Sequence, residues 1–556
     1  MKKITVFTYI CLVIGLVLFQ GEARAAAYIT LPLDQSPDET QQKLLNHGVQ
    51  FEGSPTAARF NGRDSWLEIQ EPPAPGTQDF SLAMWIHTDA VLSDGLGDLA
   101  SNFDTKERKG FTLGLACYGG VGNSQPNDRN LFFSVDNQTE PQWEFCGRPG
   151  NAILIFGFAV YEGKLFAATC EAGEEESGHV YHYDGGQEWI DCGSPDASNA
   201  VKALAVFDGQ LYAGTGRYDT TGSALEASQN TTAGGKVYRY EEDGSWTYCG
   251  LLENPQTGAA STLGGLGVYE GALYATTLKE DGFGLYRYEG GTDWFYCGNP
   301  ERRVLNPSMF NGDLYMVSYD SPGGPFRYNG SEWAYVGATI DPPIHQDYGF
   351  AVYGGQLHVS TWPQAYIYRM DNTSGAWSAR GNPKDELETM ALMVYNGKLY
   401  TGTLPSSRVY RLDDDATWTA VSEQLDTAPG KYRRTWSMAL YQGKLFCGTL
   451  PTGNVMSMET GCSLSYDHAL SPGWHHIAAL RDGKTVRLYV DGVQVVNKTG
   501  DALLDVSTDE ALSIGKGPGD YFNGSMRDFR LYQEALSPAQ IQELYEQGSA
   551  LLAATP

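Results

Sequence analysis

One pattern of apolar and polar positions recurs seven times in the middle of the chain. An apolar run closes on an aromatic residue, two turn residues follow with Gly second, and a new apolar run begins. The copies span 161–166, 207–212, 269–274, 310–315, 353–358, 395–400 and 441–446. Gly accepts the positive φ that a type I′ turn demands, so each copy predicts two antiparallel strands joined by a tight hairpin. The turn glycines, Gly163, Gly209, Gly271, Gly312, Gly355, Gly397 and Gly443, are separated by 46, 62, 41, 43, 42 and 46 residues. A second pattern alternates with the first: a strand rich in Tyr, a polar turn, and then Trp189, Trp246, Trp294, Trp333, Trp377 or Trp418. Four strands, A to D, repeating at roughly 40–45 residues are the sequence signature of a propeller blade.

The ends of the array set the blade count. The seventh unit has its first strands but stops after Val455 and Met456 with no Trp strand. The missing strand stands ahead of the first unit. There Trp143 and Cys146 have the spacing of Trp189 and Cys192, Trp246 and Cys249, and Trp294 and Cys297. The N-terminal strand is therefore expected to complete the last blade, which removes exposed sheet edges. The expectation is a seven-bladed β-propeller over 141–460. A sandwich or solenoid with the same strand pattern is the competing architecture.

Neither flank makes a domain alone. The first, 26–140, holds strand patterns at 58–69, 79–86, 110–116 and 131–135. The second, 461–550, holds them at 474–479, 486–492, 512–515 and 522–532. Ser537 and Pro538 then open a short helix to Tyr545, with Ser as cap and Pro in the first turn.

At these residues the chain resembles the LamG-like jelly roll of the concanavalin A-like lectin/glucanase superfamily. The resemblance rests on Phe60 to Gly62 and Phe80 to Trp85. It continues with Trp474 to Ile477, Leu488 to Gly492, and Phe522 to Gly524 with Asp528, Tyr532 and Leu536. The family runs straight from a strand like Phe132 to Val135 into one like Trp474 to Ile477, whereas here the propeller stands between. The resemblance therefore implies an all-β chain: a discontinuous jelly-roll sandwich interrupted by a propeller. Insertion at a loop tip is tolerated because the loop ends lie close in space. The resemblance also implies a structural Ca²⁺ near Asp528, since a carboxylate with backbone oxygens suits that ion. Cys117 and Cys462 both fall in or near the jelly roll, where they are the candidate disulfide.

Composition and charge narrow the partners. The chain has 556 residues, 42% hydrophobic and 12% aromatic, with a formal net charge of −29. That field repels phosphate backbones and anionic lipid, which argues against nucleic acid and membrane surfaces as partners. Lys2 and Lys3, the apolar run from Ile4 to Phe19, and Ala23 to Ala25 read as a signal peptide over 1–25. An exported protein is expected, without membrane insertion after cleavage. Eight cysteines follow that segment, none in a C-x-x-C pair. Those three residues after Trp lie on outer strands of neighbouring blades, too far apart for one metal, and are expected to pack between blades.

No catalytic constellation stands out. The Asp184 turn has Asp-box spacing, but Tyr328 and Asn372 break that pattern in other blades, and no set of three arginines with a Tyr–Glu nucleophile is present. In an antiparallel blade the D→A and B→C loops share one face. The A→B turns here are uniform, so recognition is expected on the variable D→A and B→C loops. These carry Arg217, Tyr218, Arg303, Tyr319, His345, Asp347, Tyr348, Trp362, Glu386, Glu388, Arg434 and Trp436. Aromatic faces suit sugar rings, and Arg with carboxylates suits hydroxyl or acidic groups. Two function classes follow: an exported glycan- or protein-binding module, or an extracellular glycosidase or lyase with the jelly roll as binding accessory. No cofactor is expected beyond the Ca²⁺.

Overall fold

The structure, a computed structural model, describes residues 27–36, 43–219, 228–278 and 281–553; the segment 1–25, expected as a signal peptide, lies outside them. Strands dominate, and the fold is all-β. No helix among the described residues is long and apolar enough to cross a membrane.

Seven four-stranded blades form the propeller, the first two joined into one eight-stranded sheet by the pairing of Cys170 with Ala200. Their innermost A strands are Leu154–Tyr161, Ala200–Phe207, Leu263–Tyr269, Val304–Phe310, Gln346–Tyr353, Glu388–Tyr395 and Arg434–Tyr441. All seven A→B turns hold both central residues at positive φ, from Glu162 and Gly163 (49° and 74°) to Gln442 and Gly443 (50° and 67°), which is the type I′ geometry read from the sequence. The last blade takes its D strand, Gln142–Phe145, from the start of the array, where it pairs with Val455–Glu459 in the register Gln142 to Glu459.

A relay of indoles runs around the ring. Each D-strand Trp donates its Nε1–H to a D-strand carbonyl of the preceding blade. Trp189 reaches Cys146 O at 2.7 Å, Trp246 reaches Cys192 O at 2.8 Å and Trp294 reaches Cys249 O at 2.8 Å. Trp333, Trp377 and Trp418 continue it to Cys297, Val336 and Arg380, and Trp143 closes it on Val421 O at 2.7 Å. The cysteines after Trp therefore sit between blades, and burial pushes the Cys146 and Cys192 thiols up.

The flanking strands interleave in two sheets. One runs Gln50–Glu52, Ala57–Asn61, Asn523–Tyr532, Phe80–Thr88, Gly473–Asp482, Thr485–Val490, Val493–Thr499. The other runs Leu44–His47, Trp66–Ile69, Leu512–Ile514, Gly97–Ser101, Lys109–Tyr118, Asn127–Asn137, Cys462–Ala469. Each sheet thus contains strands from both sides of the propeller, and Phe60, Leu82, Phe111, Phe133, Ile477 and Met526 meet in one core between them. The helix is longer than expected, Pro538–Ala553. It is capped reciprocally: Gln540 N–H donates to Ser537 Oγ, and Ser537 N–H to Gln540 Oε1. It covers the first sheet, with Tyr545 stacked on Trp85 at 5.7 Å.

Two expectations are corrected. Cys117 and Cys462 are both free thiols. Cys462 pairs with Val135, which pairs with Phe111 on its other side, and Cys117 lies six residues farther along that strand. That separation is about 20 Å, far beyond the ~7 Å Cα limit for a disulfide. Asp528 is not placed to gather oxygens for Ca²⁺. Arg530 holds both its carboxylate oxygens, from Nε and Nη2 at 2.9 Å each. No group of three His, Cys, Asp or Glu able to hold a metal occurs among the described residues.

The jelly roll docks on the A→B turns of six blades. Backbone N–H groups of Gly163, Glu270, Gly312, Gly354 and Gly355 donate to Asp467, Leu92, Ser93, Pro518 and Gly519 carbonyls. Gly443 N–H donates to Ser465 Oγ, and Lys398 reaches Thr105 O at 2.6 Å. The hairpin loop 119–126 of the second sheet goes further and enters the propeller's central channel.

Candidate functional site

Every A strand carries a β-bulge, and that irregularity builds the site. Register slips by one residue at Phe156, Lys202, Gly264, Asn306–Pro307, Tyr348–Gly349, Met390–Ala391 and Trp436. A bulge leaves one residue outside the ladder and re-aims its side chain. Lys202, Tyr348 and Trp436 line a cavity at the channel mouth. In six blades the bulged residue precedes the turn glycine by seven positions.

The loop 119–126 closes the channel beneath this cavity. Its backbone or side chains bond to A strands of six blades. Val160 N–H donates to Pro126 O, Gln125 N–H to Leu204 O, Leu266 N–H to Asn123 O and Phe350 N–H to Gly120 O. Asn123 is 2% exposed. Its Oδ1 accepts Trp436 Nε1–H at 3.1 Å, and its Nδ2 donates to Gly264 O and, at 3.3 Å, to Asn306 Oδ1.

The result is a blind pocket of about 370 Å³, open on the face of the D→A and B→C loops. It is lined by Asn123, Lys202, Tyr218, Asp219, Leu278, Arg303, Tyr319, Gln346, Tyr348, Trp362, Glu388, Arg434 and Trp436. Arg434 is the central cation. Its Nε lies 3.3 Å from Glu388 Oε2, both side chains being largely buried, and its guanidinium sits 5.9 Å from the Trp436 ring centre. Burial opposes the Arg434 charge, but Glu388 and then Tyr218 more than offset it and hold the pKa above the ordinary guanidinium value. The Arg434 Nη1 is buried without a hydrogen-bond partner among the described residues. Lys202 Nζ lies 3.4 Å from the Phe156 ring centre and 4.8 Å from that of Tyr218.

The tyrosines are neutral donors. Burial, and then Glu388, pushes the Tyr319 and Tyr348 phenols well up. Their rings meet edge to face at 5.2 Å, and Tyr348 OH donates to Gln346 Oε1 at 2.8 Å. Arg303 is held by Asp320, Nε to Oδ1 at 2.7 Å, and donates from Nη2 to Tyr319 O.

Of the residues expected at this mouth, Tyr218, Arg303, Tyr319, Tyr348, Trp362, Glu388, Arg434 and Trp436 line the pocket together. His345 stands at its rim, edge-on to Trp362 at 4.8 Å. Three expectations are corrected. Arg217 is exposed and tied by its backbone to Ser261 and Thr262, outside the lining. Asp347 faces away, fully buried, accepting the Gly324 N–H at 2.9 Å; burial pushes its pKa up to about 8. Glu386 is buried against Ser406 and Tyr410. Sequence reasoning missed Asn123, Lys202, Asp219, Leu278 and Gln346. The offset of seven before the turn glycine was a signal for Lys202; Asn123 lies in another domain's loop and had none.

The Laminin_G_3 family model, of the concanavalin A-like lectin/glucanases superfamily, matches residues 448–542. The match begins in the last blade and covers most of the second flank. No curated protein matches the chain. Among solved structures, a catalytically inactive virginiamycin B lyase from Staphylococcus aureus with quinupristin is 14% identical. It covers 57% of this chain and 99% of its own, with a TM-score of 0.44. An extracellular domain assigned to a one component system in B. thetaiotaomicron is 13% identical over 57% of this chain and 40% of its own, with a TM-score of 0.42. The GH74 xyloglucanase from Xanthomonas campestris is 15% identical over 62% and 60%, with a TM-score of 0.41.

Proposed function

We propose that this chain is an exported recognition protein that binds a glycan in the propeller's channel mouth, with a jelly roll interrupted by that propeller as its base. The observation that carries the reading is the blind pocket itself. Trp362, half-buried in the lining, offers a face for a sugar ring, and the adjacent Arg434 and Glu388 set a donor beside an acceptor, the arrangement that vicinal hydroxyls satisfy. Its volume lies at the small end of the range for small-molecule sites. A hydrolase would use two carboxyl groups across the scissile bond; the lining holds Asp219 and Glu388, and Glu388 is committed to Arg434, which favours recognition over hydrolysis. The test is a glycan array run beside a reducing-sugar release assay on the bound glycans. Binding without release supports recognition. Release moves the assignment to an enzyme, and an empty array refutes the glycan reading.

A further inference from the structure

We propose that the channel pocket reads the end of a glycan chain, and that the sugar it takes carries a carboxylate. The inference rests on the glycan reading above and deepens it.

Two independent observations point there. The first is topological. Loop 119–126 stops the channel from below, with Asn123 as part of the pocket floor. A ligand can enter only from the open face and cannot thread through, so a chain terminus fits and a mid-chain segment does not.

The second is electrostatic. The chain carries 67 acidic residues against 38 basic ones, yet in the pocket lining Lys202 and Arg434 match Asp219 and Glu388 in number, with Arg303 paired to Asp320. Glu388 engages the Nε side of Arg434, and the buried Nη1 has no acceptor among the described residues. A charged N–H kept from water without a partner is costly, and a carboxylate oxygen is the strongest acceptor for it. The surrounding phenols of Tyr319 and Tyr348 are held protonated, so they bring no competing charge. Trp362 would flank the ring that carries the acid.

The test is calorimetric titration of the full chain with D-glucuronate, D-galacturonate and N-acetylneuraminate. Each is compared with its methyl ester, and D-glucose, D-galactose and an N-acetylated dipeptide with a free C-terminus complete the set. The expected result is saturable binding of at least one sugar acid, with its ester and the neutral sugars weaker by roughly tenfold or more. Arg434→Lys, which keeps the charge but loses the fork, should weaken the acid by a similar factor. Should that variant fail to fold, the acid–ester comparison on the unaltered chain still decides. Equal affinity for acid, ester and neutral sugar, or an Arg434→Lys variant that binds as before, overturns this inference and leaves the glycan reading standing. Preference for the dipeptide, or binding of none of the sugars, overturns both.

Discussion

Replacing Asn123 by Ala tests whether the jelly-roll loop holds the propeller's channel together. The side chain makes three hydrogen bonds in the buried channel: from Trp436 Nε1 and to Gly264 O and Asn306 Oδ1. Truncation leaves the indole N–H and a carbonyl without their partners, at about 1–3 kcal/mol each. Water from the pocket above can replace part of this. Asn306 also keeps its own anchor on Tyr348 O. The expected loss is therefore about 2–3 kcal/mol, read by urea unfolding as a lower midpoint at an unchanged slope. Asn123→Asp should lose more near neutral pH, because it sets a carboxylate against Gly264 O and Asn306 Oδ1. Asp208→Asn, in the one A→B turn where a Cβ built on the second-position glycine would meet nothing within 4 Å, serves as control and should stay within about 0.5 kcal/mol. An Asn123→Ala loss no larger than the control's would refute the idea that the loop is a structural plug.

Three further outcomes are expected. Trp143 is only half-buried, so Trp143→Ala should cost about 2–3 kcal/mol, less than a fully buried indole; an unchanged melting temperature would remove the closing strand from the argument. Asp347 has its folded pKa raised to about 8 by burial, so its contribution to stability is full below about 4 and is lost as pH rises through 8. Asp347→Asn should accordingly gain on the unaltered chain by roughly 1–3 kcal/mol near that upper value and lose the advantage in acid, and an advantage independent of pH would contradict the assignment. Residues 461–556 expressed alone should show no cooperative melt, because Gly473–Asp482 and Asn523–Tyr532 both pair with Phe80–Thr88 in the other flank.

What the sequence made legible follows from what repeats. Blade number, turn type and the closing strand each rest on a local signal: a Gly at a fixed place, a Trp three residues before a Cys. The pocket face was legible for a related reason, since loop variation contrasts with turn uniformity. Asp347 shows where this reasoning fails. It is adjacent to Tyr348 in sequence, but alternate strand residues point to opposite faces, so one lines the pocket and the other is buried behind it. Arg217 fails for a different reason: it lies in the loop just past its strand and is exposed, while Tyr218 beside it lines the pocket. The disulfide expectation failed because membership of one domain says nothing about position along a strand. Asn123 was out of reach because its role depends on how two domains dock.

The uniformity of the A→B turns has a cause beyond hairpin geometry. In six blades these turns touch the jelly roll, mostly through their own N–H groups, and an extra or missing residue would misplace those contacts. Within the long 62-residue interval between Gly209 and Gly271, Tyr218 and Asp219 line the pocket on the opposite face. The two chain crossings between the domains also explain each other. Asn127–Asn137 pairs with Cys462–Ala469 on the jelly-roll side, and Gln142–Phe145 pairs with Val455–Glu459 on the propeller side. The chain thus leaves and re-enters the sandwich along adjacent strands, only a few residues from the pair that closes the ring. An interruption of this kind adds little loop-closure entropy, because the propeller brings its own ends together. The same closure fixes the loop 119–126 under the channel. A propeller cut free of its jelly roll would lose Asn123 and open into a through-channel, so the blind pocket belongs to the two domains jointly.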